Sequence, residues 1–249
     1  MDFVQSLERG LAVIRSFDAE HPDLTLSEVA ARTGLTRATA RRLLLTLGEL
    51  GYVATNGRRF SLTPRVLDIG YAYLSSLNVQ QIAQPYLEAL SERVHESVSV
   101  TALDGADIVY VARVPTKRIM TISLGLGSRL PAYCTSMGRV LLAELAPEDL
   151  AGALPERLER HTEHTVTSVA DLAVVLKQVR AQGWALVDQE LEMGLRSVAA
   201  PLRDSSGRAV AAMNVSTQVA RTPMEELHER FVPELVTTAG QISEALAKR

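Results

Sequence analysis

The stretch from Thr25 to Leu62 constrains this chain most, because it carries start and stop signals for several elements in close succession. Thr25-Leu26-Ser27-Glu28 reads as a capping box, in which a Thr hydroxyl and a Glu carboxylate three residues on satisfy free amides at a helix start. That helix is short and stops at Thr33-Gly34. Thr36 then caps a longer helix whose Ala40, Leu43, Leu44, Leu47 and Leu50 fall on one stripe. At 100° per residue, Ala38, Arg41 and Arg42 point away from that stripe, with Arg37 and Thr39 at its margins. After Gly51, Tyr52-Val53-Ala54 and Phe60-Ser61-Leu62 bracket an Asn56-Gly57 turn signal, which predicts a β-hairpin carrying Arg58 and Arg59. Upstream, Val4, Leu7, Leu11 and Ile14 recur at helical spacing and predict a helix with one apolar face, closed by His21-Pro22-Asp23. This order of elements is that of a winged helix-turn-helix.

Charge singles out the same region. The chain of 249 residues has a net charge of −3, so any affinity for nucleic acid has to come from a local patch. Up to Leu62 there are 8 Arg and no Lys against 7 Asp and Glu. Between Arg32 and Arg59 six arginines face only Glu49, a local excess of five positive charges. A solvated helix also places charge outward, but the patch and the order of elements together favour a DNA-reading surface. The candidate DNA-binding residues are Thr36, Arg37, Ala38, Thr39, Arg41, Arg42, Arg58 and Arg59, with arginine suited to fork onto guanine or phosphate.

A helix over 64–77 follows, with Pro64 in its first turn and Val66, Leu67, Ile69, Tyr71, Tyr73, Leu74 and Leu77 spread over more than one side. Two readings fit: a linker helix that contacts a second subunit, or burial against its own chain. From Val79 the pattern becomes mixed, with a helix over 85–95, an extended hairpin over 97–113, a further strand at 119–124, helices over 136–145 and 168–182, and strands over 184–188, 197–202 and 209–217. The closing helix has Thr222 as its cap, Pro223 at its first position and Glu225 completing a capping box. Antiparallel strands with helices between them predict an α+β domain. The expected organisation is 1–62 for the winged helix-turn-helix, 63–78 for the linker helix and 79–249 for an effector-binding domain.

Signatures of catalysis are missing from the sequence: there is no Gly-x-Ser-x-Gly, no Walker loop and no His-Glu-x-x-His. Gly125-Leu126-Gly127 lacks the third glycine of a dinucleotide fingerprint and reads as a loop. His161 and His164 sit in a polar stretch without a cysteine and read as solvated surface, not metal ligands. Cys134, the single cysteine, fits a reducing compartment and a small buried filler. Apolar runs fall far short of the ~18 residues of a membrane span, and no export signal is evident, so a cytoplasmic protein without cofactor or catalytic residues is expected. The alternative is a DNA-binding metal sensor, or an enzyme with its chemistry in the C-terminal domain.

Several stretches carry a family resemblance: Ser6–Leu11, Leu26–Ala30 with Thr36–Leu44, Tyr133–Leu142, and Gly194–Pro201. Over nearly its full length the chain resembles the IclR family of bacterial transcriptional regulators. Arg65–Leu74, Pro115–Met120 and Val187–Glu192 look like the branch controlling aromatic catabolism through the β-ketoadipate pathway. The resemblance implies a winged helix, a linker helix and a C-terminal effector domain with a curved antiparallel sheet resembling GAF and PAS sensors. It also implies homodimers or homotetramers that bind double-stranded promoter DNA and respond to a small organic acid. It puts the ligand-binding residues in Tyr133, Thr135, Ser136 and Met137, in the acidic segment with Asp188 and Glu190, and at Asn214 and Ser216, where relatives carry serine at position 214.

The residues themselves fit such a pocket. Thr135-Ser136-Met137 enters a helix with hydroxyls and free amides that suit a carboxylate, and Tyr133, Met137, Val210 and Ala212 can form an apolar wall. Asp188 or Glu190 would repel a dianion unless it accepts a ligand hydroxyl, which favours an aromatic hydroxy acid such as protocatechuate or 4-hydroxybenzoate over a keto dicarboxylate such as β-ketoadipate. Equally, Asp188, Glu190 and Glu192 can simply face water.

Overall fold

The computed structural model describes residues 3–77, 79–116 and 124–248. It divides into two compact units, Met1–Ser76 and Leu77–Arg249.

In the first unit, helix α1 (Gln5–Arg15) leads to strand β1 (Asp23–Thr25), α2 (Leu26–Thr33), α3 (Arg37–Glu49), β2 (Val53–Thr55), β3 (Arg59–Leu62) and, after a 3-10 turn at Pro64–Val66, α4 (Leu67–Leu77). The capping box forms as read, with the Thr25 amide donating to Glu28 Oε2 at 2.6 Å and the Glu28 amide donating to Thr25 Oγ1 at 3.3 Å. Gly34 closes α2 at φ 66°, a conformation an L side chain resists. Thr36 Oγ1 accepts from the Thr39 amide at 3.2 Å and starts α3. At the hairpin tip, Asn56 Oδ1 accepts from the amides of both Arg58 and Arg59.

Three details depart from the sequence reading. Asp23–Thr25, read only as a helix stop at Asp23 and a cap at Thr25, adds a third strand by pairing antiparallel with β3, so the sheet order is β1-β3-β2. Leu50 lies at the end of α3 and is 51% exposed, outside the stripe of Ala40, Leu44 and Leu47 that is buried. On α1 the core takes Val13, whereas Leu7 and Leu11, and Val4 just before the helix, face outward. Periodicity had identified a face but not what covers it.

The second unit starts with α5 (Val79–Val94), which begins six residues before Pro85 and continues through it. Val79, Ala83, Leu87, Leu90 and Val94 form one buried stripe across the proline, and that burial outweighs the lost helical hydrogen bond. Then come β4 (Ser97–Asp104), β5 (Asp107–Val114), β6 (Arg129–Pro131), α6 (Ser136–Glu144), α7 (Pro147–Leu150), α8 (Val169–Gln182), β7 (Ala185–Asp188), β8 (Leu195–Arg203), β9 (Ala209–Gln218), α9 (Met224–Glu226) and α10 (Val232–Ala247). The strand expected at 119–124 lies outside the described residues, Leu124 excepted. The closing helix differs from its expected start: the Thr222 hydroxyl is buried against Thr217 Oγ1 at 2.6 Å and caps nothing, and a π-helical turn, Leu227–Phe231, separates α9 from α10.

Among the described residues six strands form one antiparallel sheet in the order β6-β5-β4-β9-β8-β7, with register shifts at Val100/Thr101 and Leu202/Arg203 that bend it. Helices α5 and α10 pack on one face; α6 packs on the other, with α8 against it. Alternation divides the strand residues accordingly, so Ser97, Ser99 and Thr101 face the α6 side while Val98 and Val100 face the other. The unit is α+β, as expected.

Candidate DNA surface and effector cavity

In the first unit, the pairing of each arginine decides what it can do. Arg59 donates from Nε to Asp23 Oδ1 at 2.7 Å and lies 3.6 Å from Glu28 Oε2, which ties the hairpin to β1 and to the start of α2. Arg32 pairs with Asp18, whose carboxyl is held below its ordinary value chiefly by a hydrogen bond from His21. Arg37, Arg41, Arg42 and Arg58 have no ion-pair partner among the described residues and are exposed. Thr36 and Ala38 are exposed with them, while Thr39 is half-buried in the cap it shares with Thr36. The net excess of five positive charges therefore reduces to four arginines able to reach a phosphate or base edge, three on α3 and one on the hairpin. Arg59 belongs to the scaffold of that surface.

In the second unit a cavity of about 270 Å³ lies between the concave face of the sheet and the start of α6. Its floor is polar: strand register places Ser97, Ser216 and Ser197 in one row across β4, β9 and β8, and Ser99 beside Asn214 in the next. Ser136, entering from α6, meets Ser197 Oγ at 2.8 Å. Thr135 also lines the cavity, but its hydroxyl caps α6 through the Gly138 amide and donates to the Pro131 carbonyl at 3.1 Å. Met137 accepts from Thr101 Oγ1 through its sulfur at 3.4 Å, and Asn214 Nδ2 donates to Ser216 Oγ at 2.9 Å. The chain approaches itself closely here: a Cβ on Gly138 would stand 2.1 Å from the Ala132 carbonyl oxygen, so only glycine lets α6 start against the segment that leads into it.

Three residues expected to bind ligand do not line this cavity. The Tyr133 hydroxyl donates to the Glu159 carbonyl at 2.7 Å and meets His161 Nε2 at 3.0 Å, so its tip is used away from the cavity. Asp188 takes a two-pronged hydrogen bond from Arg196 at 2.8 and 2.9 Å. Glu190 is buried against Arg139, Nη2 to Oε2 at 2.6 Å, and accepts from the Val166 amide at 3.0 Å. Neither carboxylate lines the cavity, nor do Val210 and Ala212. The acidic segment contributes differently: with Asp188 and Glu190 anchored, Leu191, Glu192, Met193 and Gly194 form one of its walls.

The sequence reading missed Arg113 and Tyr110 on β5 and the floor serines of β4 and β8. The guanidinium of Arg113 lies 5.9 Å from the centre of the Tyr110 ring, and both line the cavity. A signal existed in Ser97-Val98-Ser99-Val100-Thr101-Ala102, whose polar half is as buried as its apolar half. Cys134 lines the cavity too, and burial pushes its thiol up to about 12, so it stays protonated at neutral pH and is no activated nucleophile. No group of three or more potential metal ligands occurs among the described residues, and His161 packs against Tyr133 instead.

Residues 6–57 match the IclR helix-turn-helix domain and residues 71–244 the bacterial transcriptional regulator IclR C-terminal domain. The chain is 46% identical to the Pca regulon regulatory protein of Pseudomonas putida, over 98% of this chain and 85% of that protein. It is 35% identical to the p-hydroxybenzoate hydroxylase transcriptional activator of Acinetobacter baylyi, over 97% and 91%. A transcriptional regulator of Rhodococcus sp. RHA1 has a crystal structure that superposes with a TM-score of 0.87 at 57% identity, covering 99% of each chain.

Proposed function

The chain belongs to the IclR family of bacterial transcriptional regulators, and on that premise we propose that it controls an aromatic-acid catabolic operon by binding promoter DNA as a homodimer or homotetramer under the control of a small aromatic acid. The observation that carries this reading is the cavity: a space of about 270 Å³, near the lower end of ligand pockets, with a hydroxyl-rich floor, apolar walls and Arg113 in its lining. It suits one ring with a carboxylate. Relatives named for the Pca regulon and for p-hydroxybenzoate hydroxylase support the pathway.

In this reading residues 1–62 contact DNA through α3 and the hairpin, 63–78 link, and 79–249 hold the effector. The linker contributes to the subunit contact. Leu67, Ile69 and Tyr71 on α4 are half or more exposed, as are Leu7 on α1 and Val4 just before it, and apolar surface of that extent favours association. Two copies then read the half-sites of a roughly palindromic operator. The protein acts in the cytoplasm and holds its ligand without transforming it. The preference for a hydroxy acid no longer rests on Asp188 and Glu190, which arginines occupy; it rests on the size and lining of the cavity.

The test is a titration of 4-hydroxybenzoate and protocatechuate into the protein on its own promoter DNA. A tenfold change in operator affinity corresponds to about 1.4 kcal/mol of coupling between the two sites. If neither acid binds by calorimetry nor shifts operator affinity, or if binding ignores the Ser136→Ala/Ser216→Ala substitutions, the effector site is not this cavity.

A further inference from the structure

Taking the chain as a dimer that reads two half-sites, we infer that Arg65 is the positioning residue of its linker: stacked on Tyr52 across Gly51, it fixes the angle at which α4 leaves the end of α3, and with it the half-site spacing that the dimer accepts. Residues 67–71 are all exposed, more than one full turn of α4, so no side of the helix is buried over this stretch. Leu67 and Tyr71 are 73% and 63% exposed. The turn just before α4 therefore sets the direction of this stretch.

That turn is bound to the end of α3. The Thr63 amide donates to the Tyr52 carbonyl at 2.9 Å and the Thr63 hydroxyl to the Gly51 carbonyl at 2.5 Å, while the Arg65 amide donates to Thr63 Oγ1 at 3.3 Å. Held at Thr63 only, a helix can still pivot about the joint. Arg65 supplies a second point of attachment, its guanidinium lying 5.6 Å from the centre of the Tyr52 ring. Gly51, at φ 80°, makes the room: a Cβ there would stand 3.0 Å from Arg65 Nη1 and 3.3 Å from its Cδ. Among the described residues no carboxylate pairs with Arg65, so its charge rests on the ring. In the dimer, α3 carries the arginines that meet DNA and α4 the apolar side chains of the subunit contact, so the angle between these two helices is passed to both reading heads. A stiff connection matched to one span concentrates the second head on the second half-site, and a loose one spreads it over many spans. Two base pairs more or fewer turn a half-site by roughly 70° about the DNA axis, which a fixed joint does not follow.

Fluorescence anisotropy of the full-length protein on its own operator, and on versions with two base pairs inserted or removed between the half-sites, tests this. Wild type is expected to bind the natural spacing at least about tenfold more tightly than either altered one, and Arg65→Ala to bring that ratio to about threefold or less with its melting temperature and salt slope unchanged. Tyr52→Leu, which removes the ring and no charge, is expected to flatten the ratio likewise, and Arg65→Lys, which keeps a cation over the ring, to retain most of it. A wild-type ratio in Arg65→Ala overturns the role of Arg65 and leaves the dimer on paired half-sites standing. So does an equal loss of affinity at all three spacings with a salt slope lower by about one unit, which is the sign of a phosphate contact. Wild type that binds all three operators equally defeats the paired half-sites and the joint with them; wild type that binds none defeats the reading of DNA.

Discussion

The two units use arginine in opposite ways. In the C-terminal unit, Arg129, Arg139, Arg196, Arg203 and Arg221 each close onto a carboxylate within the fold. In the N-terminal unit, Arg32 and Arg59 do the same, but Arg37, Arg41, Arg42 and Arg58 have no such partner among the described residues. Counting charges along the chain treats all of these alike. Pairing separates arginines that hold the protein together from those left for another molecule, and the charge excess near the N-terminus matters because most of it is unspent.

The largest effect is expected where pairing is most buried. Arg139→Ala strands Glu190 in the interior and should cost about 3–5 kcal/mol of stability in urea denaturation. The double variant Arg139→Met/Glu190→Leu should recover much of that, since apolar replacements need no charge partner. A single-variant loss below about 1 kcal/mol would make the pair no stronger than a surface contact and would erase the contrast. Next, Arg41→Ala or Arg42→Ala should lower operator affinity by about 1–3 kcal/mol and leave stability within about 0.5 kcal/mol. If both variants and their double bind operator normally, α3 does not read DNA.

Within the hairpin the comparison sharpens to neighbouring residues. Arg58→Ala should lower the slope of log affinity against log salt by about one unit, because one phosphate contact is lost. Arg59→Ala should leave that slope unchanged and loosen the hairpin by at most about 1 kcal/mol, its ion pair being partly exposed. Equal salt slopes in the two variants would show that pairing does not decide which arginine meets DNA. The smallest effect concerns Asp18, whose carboxyl is held below its ordinary pKa in the folded protein chiefly by the hydrogen bond from His21. A depressed pKa gives stability that is present above the unfolded value and lost as pH falls through the folded one. The melting advantage of wild type over Asp18→Asn should therefore shrink between about pH 5 and pH 3.

Most of the N-terminal unit was legible because its signals are local. The Thr25 box, the Thr36 cap, Gly34 and the Asn56-Gly57 turn each act within a few residues. What went unread there depends on distant partners: the outward face of Val4, Leu7 and Leu11, the three-residue strand β1, and the grip of Asp23 on Arg59. In the C-terminal unit, Thr135, Ser136, Met137, Asn214 and Ser216 were found at the cavity because each lies on an element with a clear period or cap. Asp188 and Glu190 do not line the cavity, since an acidic run does not reveal which arginine folds back onto it; Arg139 and Glu190 are 51 positions apart. Arg113 was passed over for the mirror reason: a charged residue on an alternating strand suggests solvent, and only sheet curvature turns that face inward.

Among the described residues, the six-stranded sheet ends on both sides in its shortest members, β6 with three residues and β7 with four. An edge strand offers unpaired amides and carbonyls to any neighbour, and long flat edges are where chains fuse into aggregates. Here Pro131 removes one donor from β6, Arg129 on the same strand is held by Asp104 and Asp107, and Asp188 at the end of β7 is held by Arg196. A chain that meets these borders therefore finds short strands with charged side chains, which discourages strand exchange.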